Sequence, residues 1–128
     1  SKLRGVRFAG ANLAEGNLIA ADMSYANLSN VYAASAKLQR STLVGAVLRN
    51  ADFSGADFSN ADLSFAILNG TDLSGANLSG AILKHVVLND AILTNTNFEG
   101  AILDKAIWTD NSVCAPESVG QCIVIKKK

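Results

Sequence analysis

Apolar side chains recur at every fifth position of this chain. Counted in steps of five from Leu3 to Trp108, nineteen of twenty-two positions hold leucine or phenylalanine, without an insertion or a deletion. We name these positions the centres of the units. The position two before each centre always holds a small residue: Ala, Gly, Ser, Thr or Val. A helix would place successive centres about 500° apart around its axis, so the pattern argues against a helix.

Each five-residue unit is predicted to be a short extended segment followed by a turn. Residues two apart in an extended segment point to the same side, so the small residue and the centre face inward together. The residue between them, often Asp or Asn, faces outward, and the two residues after the centre are mainly Ser, Gly, Asn and Thr, which favour turns. Glycine and asparagine at the last position of a unit suit a backbone with positive φ. The residues for which we expect positive φ are Gly55, Gly70, Gly75, Gly80, Gly100, Asn30, Asn50, Asn60 and Asn95.

The units ADFSG, ADLSF, TDLSG, ANLSG and TNFEG resemble the pentapeptide-repeat protein family. The resemblance covers residues 1–108. It implies an all-β fold, a right-handed quadrilateral β-helix that is a solenoid of pentapeptide repeats with about 20 residues per coil. Because the repeat stops after Trp108, we divide the chain into a β-helix of residues 1–110 and a C-terminal capping tail of residues 111–128.

Some outward positions hold Val or Ile where Asp or Asn is usual. Four of these residues are spaced by 20, which independently supports a coil of that length, and others lie on flanking walls. A solvated β surface rarely keeps such a stripe without a partner, so we expect a patch that another subunit or the chain's own tail covers. The last coil of an open stack needs a cap, and this favours the tail, which carries Cys122, Ile123, Val124 and Ile125. The candidate interaction patch consists of the column Val47, Ile67, Val87 and Ile107, together with Ile82, Ile102 and Ile92.

Ala33 is the only small residue at a centre, and it follows Tyr32 at a position that is usually polar. One interpretation is a shallow notch beside Ala33, with Tyr32 next to it and Tyr25 at a nearby corner. The other interpretation, which we favour, is that Val31 compensates for the volume that a leucine at position 33 would fill.

The tail contains the only two cysteines of the chain, Cys114 and Cys122. They bracket seven residues that include Pro116 and Gly120, which suits a small loop closed by a disulfide worth roughly 2 to 3 kcal/mol. Free thiols are the alternative, whereas a metal site would be incomplete with two thiols and His85 inside a repeat. If the disulfide forms, we expect an oxidising, extracytoplasmic compartment such as a periplasm, the outside of a cell or a thylakoid lumen.

Charge is balanced over the whole chain but not along it, and the formal net charge is zero. Residues 1–50 carry six basic and two acidic side chains, residues 51–110 carry two and eight, and residues 111–128 carry three and one. A neutral chain lacks the simplest electrostatic basis for direct binding to nucleic acid. No apolar run approaches the roughly 20 residues that a membrane span needs, so no span is expected.

No phosphate loop, nucleophile elbow or metal motif is found in the sequence. Asp52, Asp57, Asp62 and Asp72 are regularly spaced, but the repeat places them outward on flat walls in water, where no cleft perturbs a carboxyl group. We therefore expect no catalytic residue, cofactor or metal. The predicted function is a non-catalytic structural or protein-interaction scaffold that contacts an unidentified protein, or itself, through an apolar face.

The alternative function comes from the resemblance alone. Some relatives in the family are dimeric, strongly acidic rods that occupy the DNA groove of gyrase, which implies an acidic DNA mimic that modulates a DNA-binding enzyme such as gyrase. A short, neutral chain with a basic N-terminal half departs from that pattern.

Overall fold

The chain folds into stacked coils of 20 residues. The structure is a computed structural model that describes residues 2–124. The β structure in this range consists of isolated bridges at single residues, and the parallel bridges join each residue to the residue 20 positions later, from Lys2–Asp22 to Val87–Ile107. Residues 2–124 contain no helix that is long and apolar enough to cross a membrane. The coil therefore has the length that the sequence predicts.

Each coil has four sides, because bridge positions five residues apart alternate with turns. The bridge residues of successive coils stack into four columns, and we name the outer surfaces that carry them face 1 to face 4. Face 1 comprises Lys2, Asp22, Thr42, Asp62, Ile82 and Ile102; face 2 comprises Arg7, Asn27, Val47, Ile67, Val87 and Ile107; face 3 comprises Asn12, Tyr32, Asp52, Asp72 and Ile92; face 4 comprises Asn17, Lys37, Asp57, Asn77 and Asn97.

Two rows of turns border face 2, and we name them corner A and corner B. Corner A lies between faces 1 and 2 and consists of the turns at residues 4–5, 24–25, 44–45, 64–65, 84–85 and 104–105. Corner B lies between faces 2 and 3 and consists of the turns at residues 9–10, 29–30, 49–50, 69–70, 89–90 and 109–110.

Every corner from residue 5 to residue 105 bends through a residue with positive φ. At each fifth position from Gly5 to Lys105, φ lies between 56° and 75°, so the expectation for the glycines and asparagines is confirmed. Bulky residues adopt the same conformation: Tyr25, Phe65 and His85 have φ of 62°, 62° and 58°. The left-handed conformation costs a residue with a Cβ roughly 1–2 kcal/mol. The stacking of the coils therefore imposes the corner geometry whatever the side chain.

The core is a column of side chains through the middle of the stack. From Met23 to Leu88 every centre is at most 1% exposed, and the small residues two positions earlier are buried as well. The inward orientation of both positions is therefore confirmed. The ring centroids of Phe53 and Phe58 lie 5.2 Å apart inside the stack. Main-chain hydrogen bonds join the coils, as where the Phe53 N–H donates to the carbonyl oxygen of Asp72 at 2.9 Å.

Residues 111–124 turn back and pair with the last coil in the antiparallel direction. Val113 bridges Ile107, and Val119 bridges Ile102. The tail therefore runs first along the end of face 2 and then along the end of face 1.

The pairing of the tail satisfies main-chain groups at the edge of the last coil. The Leu103 N–H donates to the carbonyl oxygen of Ser118 at 2.7 Å, and the Lys105 N–H donates to that of Cys114 at 3.0 Å. An open row of such groups would invite pairing with another chain. The tail thus pairs with the edge of the last coil at faces 1 and 2.

Candidate functional site

The outward aspartates close the corner turns. The Asp52 carboxylate accepts a hydrogen bond from the Ser54 N–H at 3.0 Å and another from the Ser54 hydroxyl at 2.6 Å. Asp62 and Asp72 accept the same two bonds from the serines two residues later, and Asp57 accepts the main-chain bond. These four aspartates are half-buried, which corrects the expectation of carboxylates standing in open water. Each stabilises its own turn.

Asp22 on face 1 combines this arrangement with nearby cations. The Ser24 hydroxyl donates to its carboxylate at 2.8 Å, and the Ser24 N–H donates to it at 3.1 Å. These two bonds lower the pKa of Asp22 from 3.8, against a smaller opposing effect of desolvation, and Arg4 and Lys2 lower it further. The Arg4 guanidinium lies 3.9 Å from the carboxylate.

Face 2 carries the apolar column that the 20-residue spacing predicts. Parallel bridges join Val47 to Ile67, Ile67 to Val87 and Val87 to Ile107, and all four residues are half-buried. Val113 of the tail continues the column beyond Ile107 and is 47% exposed. The tail cover favoured from the sequence is therefore not what the described residues show, because the tail pairs with the edge of the last coil instead of lying on its face.

The remaining members of the candidate patch lie on both sides of face 2. Ile82 bridges Ile102 on face 1, and Val119 of the tail extends that column at 55% exposure. Ile92 follows Asp72 on face 3 and is 48% exposed. Faces 1 and 3 each carry two aspartates, and each becomes apolar only at its C-terminal end, at Ile82 and Ile102 on face 1 and at Ile92 on face 3.

Corner A carries exposed aromatic rings; Tyr25 was named from the sequence, whereas the stacked pair of Phe65 and His85 was not. The rings of Phe65 and His85 are stacked, with centroids 4.8 Å apart and planes inclined by 4°, and Phe65 is 58% exposed. Nearer the N-terminus, the Tyr25 ring lies so close over Gly45 that a Cβ there would come within 2.7 Å of it, and the Arg4 guanidinium lies 5.7 Å from the ring centroid. A signal for Phe65 was present, since a bulky residue occupies a position where Gly and Asn are usual.

The structure shows no opening beside Ala33. Ala33 and Val31 are at most 1% exposed, and no cavity is found in residues 2–124. Tyr32 and Tyr25 are 62% and 61% exposed, but Tyr32 lies on face 3 and Tyr25 on corner A, with face 2 between them. The favoured interpretation, in which Val31 compensates for the missing volume at position 33, stays a prediction.

A disulfide joins Cys114 to Cys122 in the tail, with Cα atoms 5.0 Å apart. Cys114 is fully buried as part of the core cluster. Ile123 and Val124 are 49% and 46% exposed, and Ile125 lies outside the described residues. No group of three or more His, Cys, Asp or Glu side chains within the described range could hold a metal ion.

Opposite charges border the C-terminal half of face 2. Corner A carries Lys84 and Lys105, corner B carries Asp90 and Asp110, and all four residues are exposed. Asp104 lies beside Lys105 on corner A, and the exposed Arg49 lies on corner B at the level of Val47. Face 2 itself is uncharged from Val47 onward. The acidic side chains of the described chain are thus spread over several faces among basic ones, and the hypothesis of an acidic DNA mimic stays a prediction.

Comparison with protein families identifies the repeat. The family model described as pentapeptide repeats matches in eight copies, over residues 1–40, 34–75 and 71–107. A comparison with curated protein sequences gives no match.

Several solved structures are similar to this chain. A pentapeptide repeat protein from Nostoc PCC 7120 shares 36% identity over 67% of this chain and 73% of its own, with a TM-score of 0.61. One from the thylakoid lumen of Arabidopsis thaliana shares 28% identity over 94% of this chain and 86% of its own, with a TM-score of 0.57. HetL from Nostoc sp. strain PCC 7120, described as involved in heterocyst differentiation regulation, shares 31% identity over 88% of this chain, with a TM-score of 0.43. The chain spans 63% of the length of HetL.

Proposed function

The chain belongs to the pentapeptide repeat family, and we propose that it is a non-catalytic scaffold that binds another protein through face 2 and corner A. In this proposal the coils wind as a right-handed quadrilateral β-helix, the hand and shape that the resemblance implies. The four columns of parallel bridges support that shape. The tail from residue 111 onward serves as the C-terminal cap.

The unbroken apolar column of face 2 carries the proposal. Its bridged side chains from Val47 to Ile107, and Val113 of the tail, are only partly shielded from water and lie beside the exposed ring of Phe65. Covering such a surface gains roughly 25 cal/mol per Å² of apolar area removed from water. The hydrogen-bonded coils hold the column in place before a partner arrives, so little ordering is needed on binding.

The carboxylates support a role without catalysis. General acid–base chemistry needs a carboxyl group within reach of a substrate proton and with a pKa suited to its transfer. Asp52 and Asp72 instead accept hydrogen bonds from the serines of their own turns, and they lie side by side on a flat face. Turn stability therefore accounts for the placement of both groups.

The proposal includes an extracytoplasmic setting. The disulfide between Cys114 and Cys122 supports an oxidising compartment, such as a periplasm, the outside of a cell or a thylakoid lumen. The relative from the thylakoid lumen of Arabidopsis thaliana, at 28% identity, supports the last of these.

Photo-crosslinking tests the binding surface. The photoreactive residue p-benzoylphenylalanine in place of Phe65 keeps an aromatic ring on corner A, and the same residue in place of Tyr32 gives a matched control on face 3. In an extract of the source organism, we expect ultraviolet light to link a protein to the Phe65 variant and not to the Tyr32 variant. Adding Ile67→Glu should abolish the adduct. Equal crosslinking from both positions, or none from either, would contradict the proposal.

A further inference from the structure

We propose that the protein covering face 2 is a second copy of this chain, held in a weak two-fold dimer whose two stacks run parallel. This inference rests on the proposed function, since it names the occupant of the same surface. Three properties of face 2 point to it: the charges along its borders, the shape of its borders, and its size.

The borders of face 2 carry charges of opposite sign at the same level of the stack. Lys84 and Lys105 lie on corner A, and Asp90 and Asp110 lie on corner B of the same coil. In this dimer the two-fold axis lies in the plane of face 2 and runs parallel to the stack. Corner A of each copy therefore lies opposite corner B of the other copy. Each Lys84 then meets an Asp90, so opposite charges meet on both sides of the interface. At the last coil Asp104 lies beside Lys105 on corner A, so the turn that faces Asp110 carries one charge of each sign.

The borders are also complementary in shape. Phe65 projects from corner A, whereas the corner B position at the same level is Gly70, which has no side chain. The two-fold rotation places the ring of each Phe65 over the backbone at Gly70 of the other copy. A projecting ring therefore meets a flat stretch of main chain and not another ring.

The other faces are poor surfaces for the same pairing. Under this rotation each residue of a face meets its own counterpart at the same level. Face 3 would bring Asp52 against Asp52 and Asp72 against Asp72. Face 4 would do the same with Asp57, and face 1 with Asp62, and like charges in contact repel. Face 2 instead brings Ile67 against Ile67, in a column that is uncharged from its third residue onward.

The size of face 2 indicates a weak dimer. Rungs ~4.8 Å apart make the strip from Val47 to Val113 about 20 Å high, and three extended residues at ~3.3 Å each make it roughly 10 Å wide. With both corners included, two copies would bury on the order of 1,000 Å², which is near the lower bound for a specific interface. Arg7, the one charged residue of face 2, lies two coils above Val47, about 10 Å away at this spacing. We therefore expect reversible association.

Exchange of charges across the two-fold axis tests this inference. Sedimentation equilibrium of the whole chain from about 10 µM to about 1 mM covers weak affinities. We expect the wild type to dimerise reversibly over this range and to dissociate as the salt concentration rises. Lys84→Asp and Asp90→Lys should each weaken dimerisation about tenfold or more, because each places two like-charge contacts in the interface. An equimolar mixture of the two variants should recover a dimer, since both contacts between positions 84 and 90 are then of opposite sign.

The controls separate the surface from the fold. Lys37→Asp reverses a charge on face 4 and should leave dimerisation unchanged. Asp90→Lys is compatible with the backbone, because Lys105 already occupies a corner position with φ of 56°, and thermal unfolding verifies that each variant folds. A monomer at all concentrations, or no recovery on mixing, would overturn the inference. If the chain stays monomeric but p-benzoylphenylalanine at position 65 captures a different protein, the proposed function stands and only the dimer is ruled out. If position 65 captures nothing, the proposed function and the dimer are both ruled out.

Discussion

The ring of Phe65 lies flat against the ring of His85, with centroids 4.8 Å apart and planes inclined by 4°. Both residues occupy the corner position with positive φ, at 62° and 58°. The corner therefore holds two rings at its surface in spite of an unfavourable backbone conformation at each. Burial in the core does not explain why an exposed ring is kept on a backbone with positive φ. Such residues are therefore candidates for binding.

We expect Phe65→Asn to weaken binding at face 2 without unfolding the protein. Asparagine accepts positive φ, so relief of roughly 1–2 kcal/mol of strain offsets the loss of a stacked pair worth about 0.5–1.5 kcal/mol. The free energy of unfolding in urea should change by less than about 1 kcal/mol, while association measured by sedimentation falls severalfold.

Tyr25→Asn is the matched control for this change, since it removes an exposed ring from the same corner two coils away. It should leave association unchanged. A loss of more than about 2 kcal/mol of unfolding free energy in Phe65→Asn would show that the ring is needed for folding.

Asp22 should make stability depend on acidic pH. Its pKa is lowered below 3.8 in the folded chain, first by the Ser24 hydroxyl, then by the Ser24 N–H, and then by Arg4 and Lys2. The unfolded chain therefore binds this proton at a higher pH than the folded chain does. The stabilisation is fully present well above the unfolded value of 3.8 and is lost as the pH falls through the lowered pKa of the folded chain.

Asp22→Asn should remove this part of the pH dependence. The difference in unfolding free energy between wild type and variant, measured in urea, should shrink as the pH falls across that range. Ser24→Ala, which keeps the carboxylate and removes the largest cause, should reduce this difference only in part. Identical pH profiles for wild type and Asp22→Asn would rule out the hydrogen-bonded carboxylate as a source of stability.

Ala56 tests the packing of the core. It is 1% exposed and stands two positions before Phe58, where the walls of the coil approach each other. We expect Ala56→Leu to overpack this space and to destabilise the protein by about 1–3 kcal/mol or more. Lys37→Leu, which adds the same side chain at an exposed outward position, should change stability little. A melting temperature of Ala56→Leu equal to that of the wild type would refute the packing described here.

The disulfide should stabilise the cap at the end of the stack. Closing the loop between Cys114 and Cys122 is worth roughly 2 to 3 kcal/mol by chain entropy. A reducing agent should lower the melting temperature of the wild type and not that of a Cys114→Ser/Cys122→Ser variant. Mass measurement after alkylation without a reductant should find neither thiol modified. Two alkylated thiols in freshly isolated protein would contradict both the cap and the oxidising compartment.

The periodic features of this protein could be predicted because each arises within one five-residue unit. Alternation in an extended segment places Leu63 inward and Asp62 outward, and a turn precedes them at Asn60 for reasons of local backbone chemistry. The apolar column from Val47 to Ile107 follows in turn from a constant coil length. Each of these inferences follows from the spacing of residues along the sequence alone.

The contacts of individual side chains were harder to predict. The sequence analysis placed Asp52 in open water, yet its carboxylate turns back to the hydroxyl and N–H of Ser54. The stack of Phe65 on His85 depends on two residues 20 apart adopting ring orientations that match, and periodicity alone does not specify a rotamer.

By itself, the sequence determined which side chains point into the stack and which outward column is apolar, since both follow from a regular period. Only the tertiary structure decided that the described tail leaves face 2 open. That outcome depends on the N–H groups of Leu103 and Lys105, which have no further coil to bond and pair instead with the returning chain. The tail binds where hydrogen-bonding groups are unpaired, at the edge of the coil beyond Ile107 and Ile102, instead of lying over the apolar side chains of face 2.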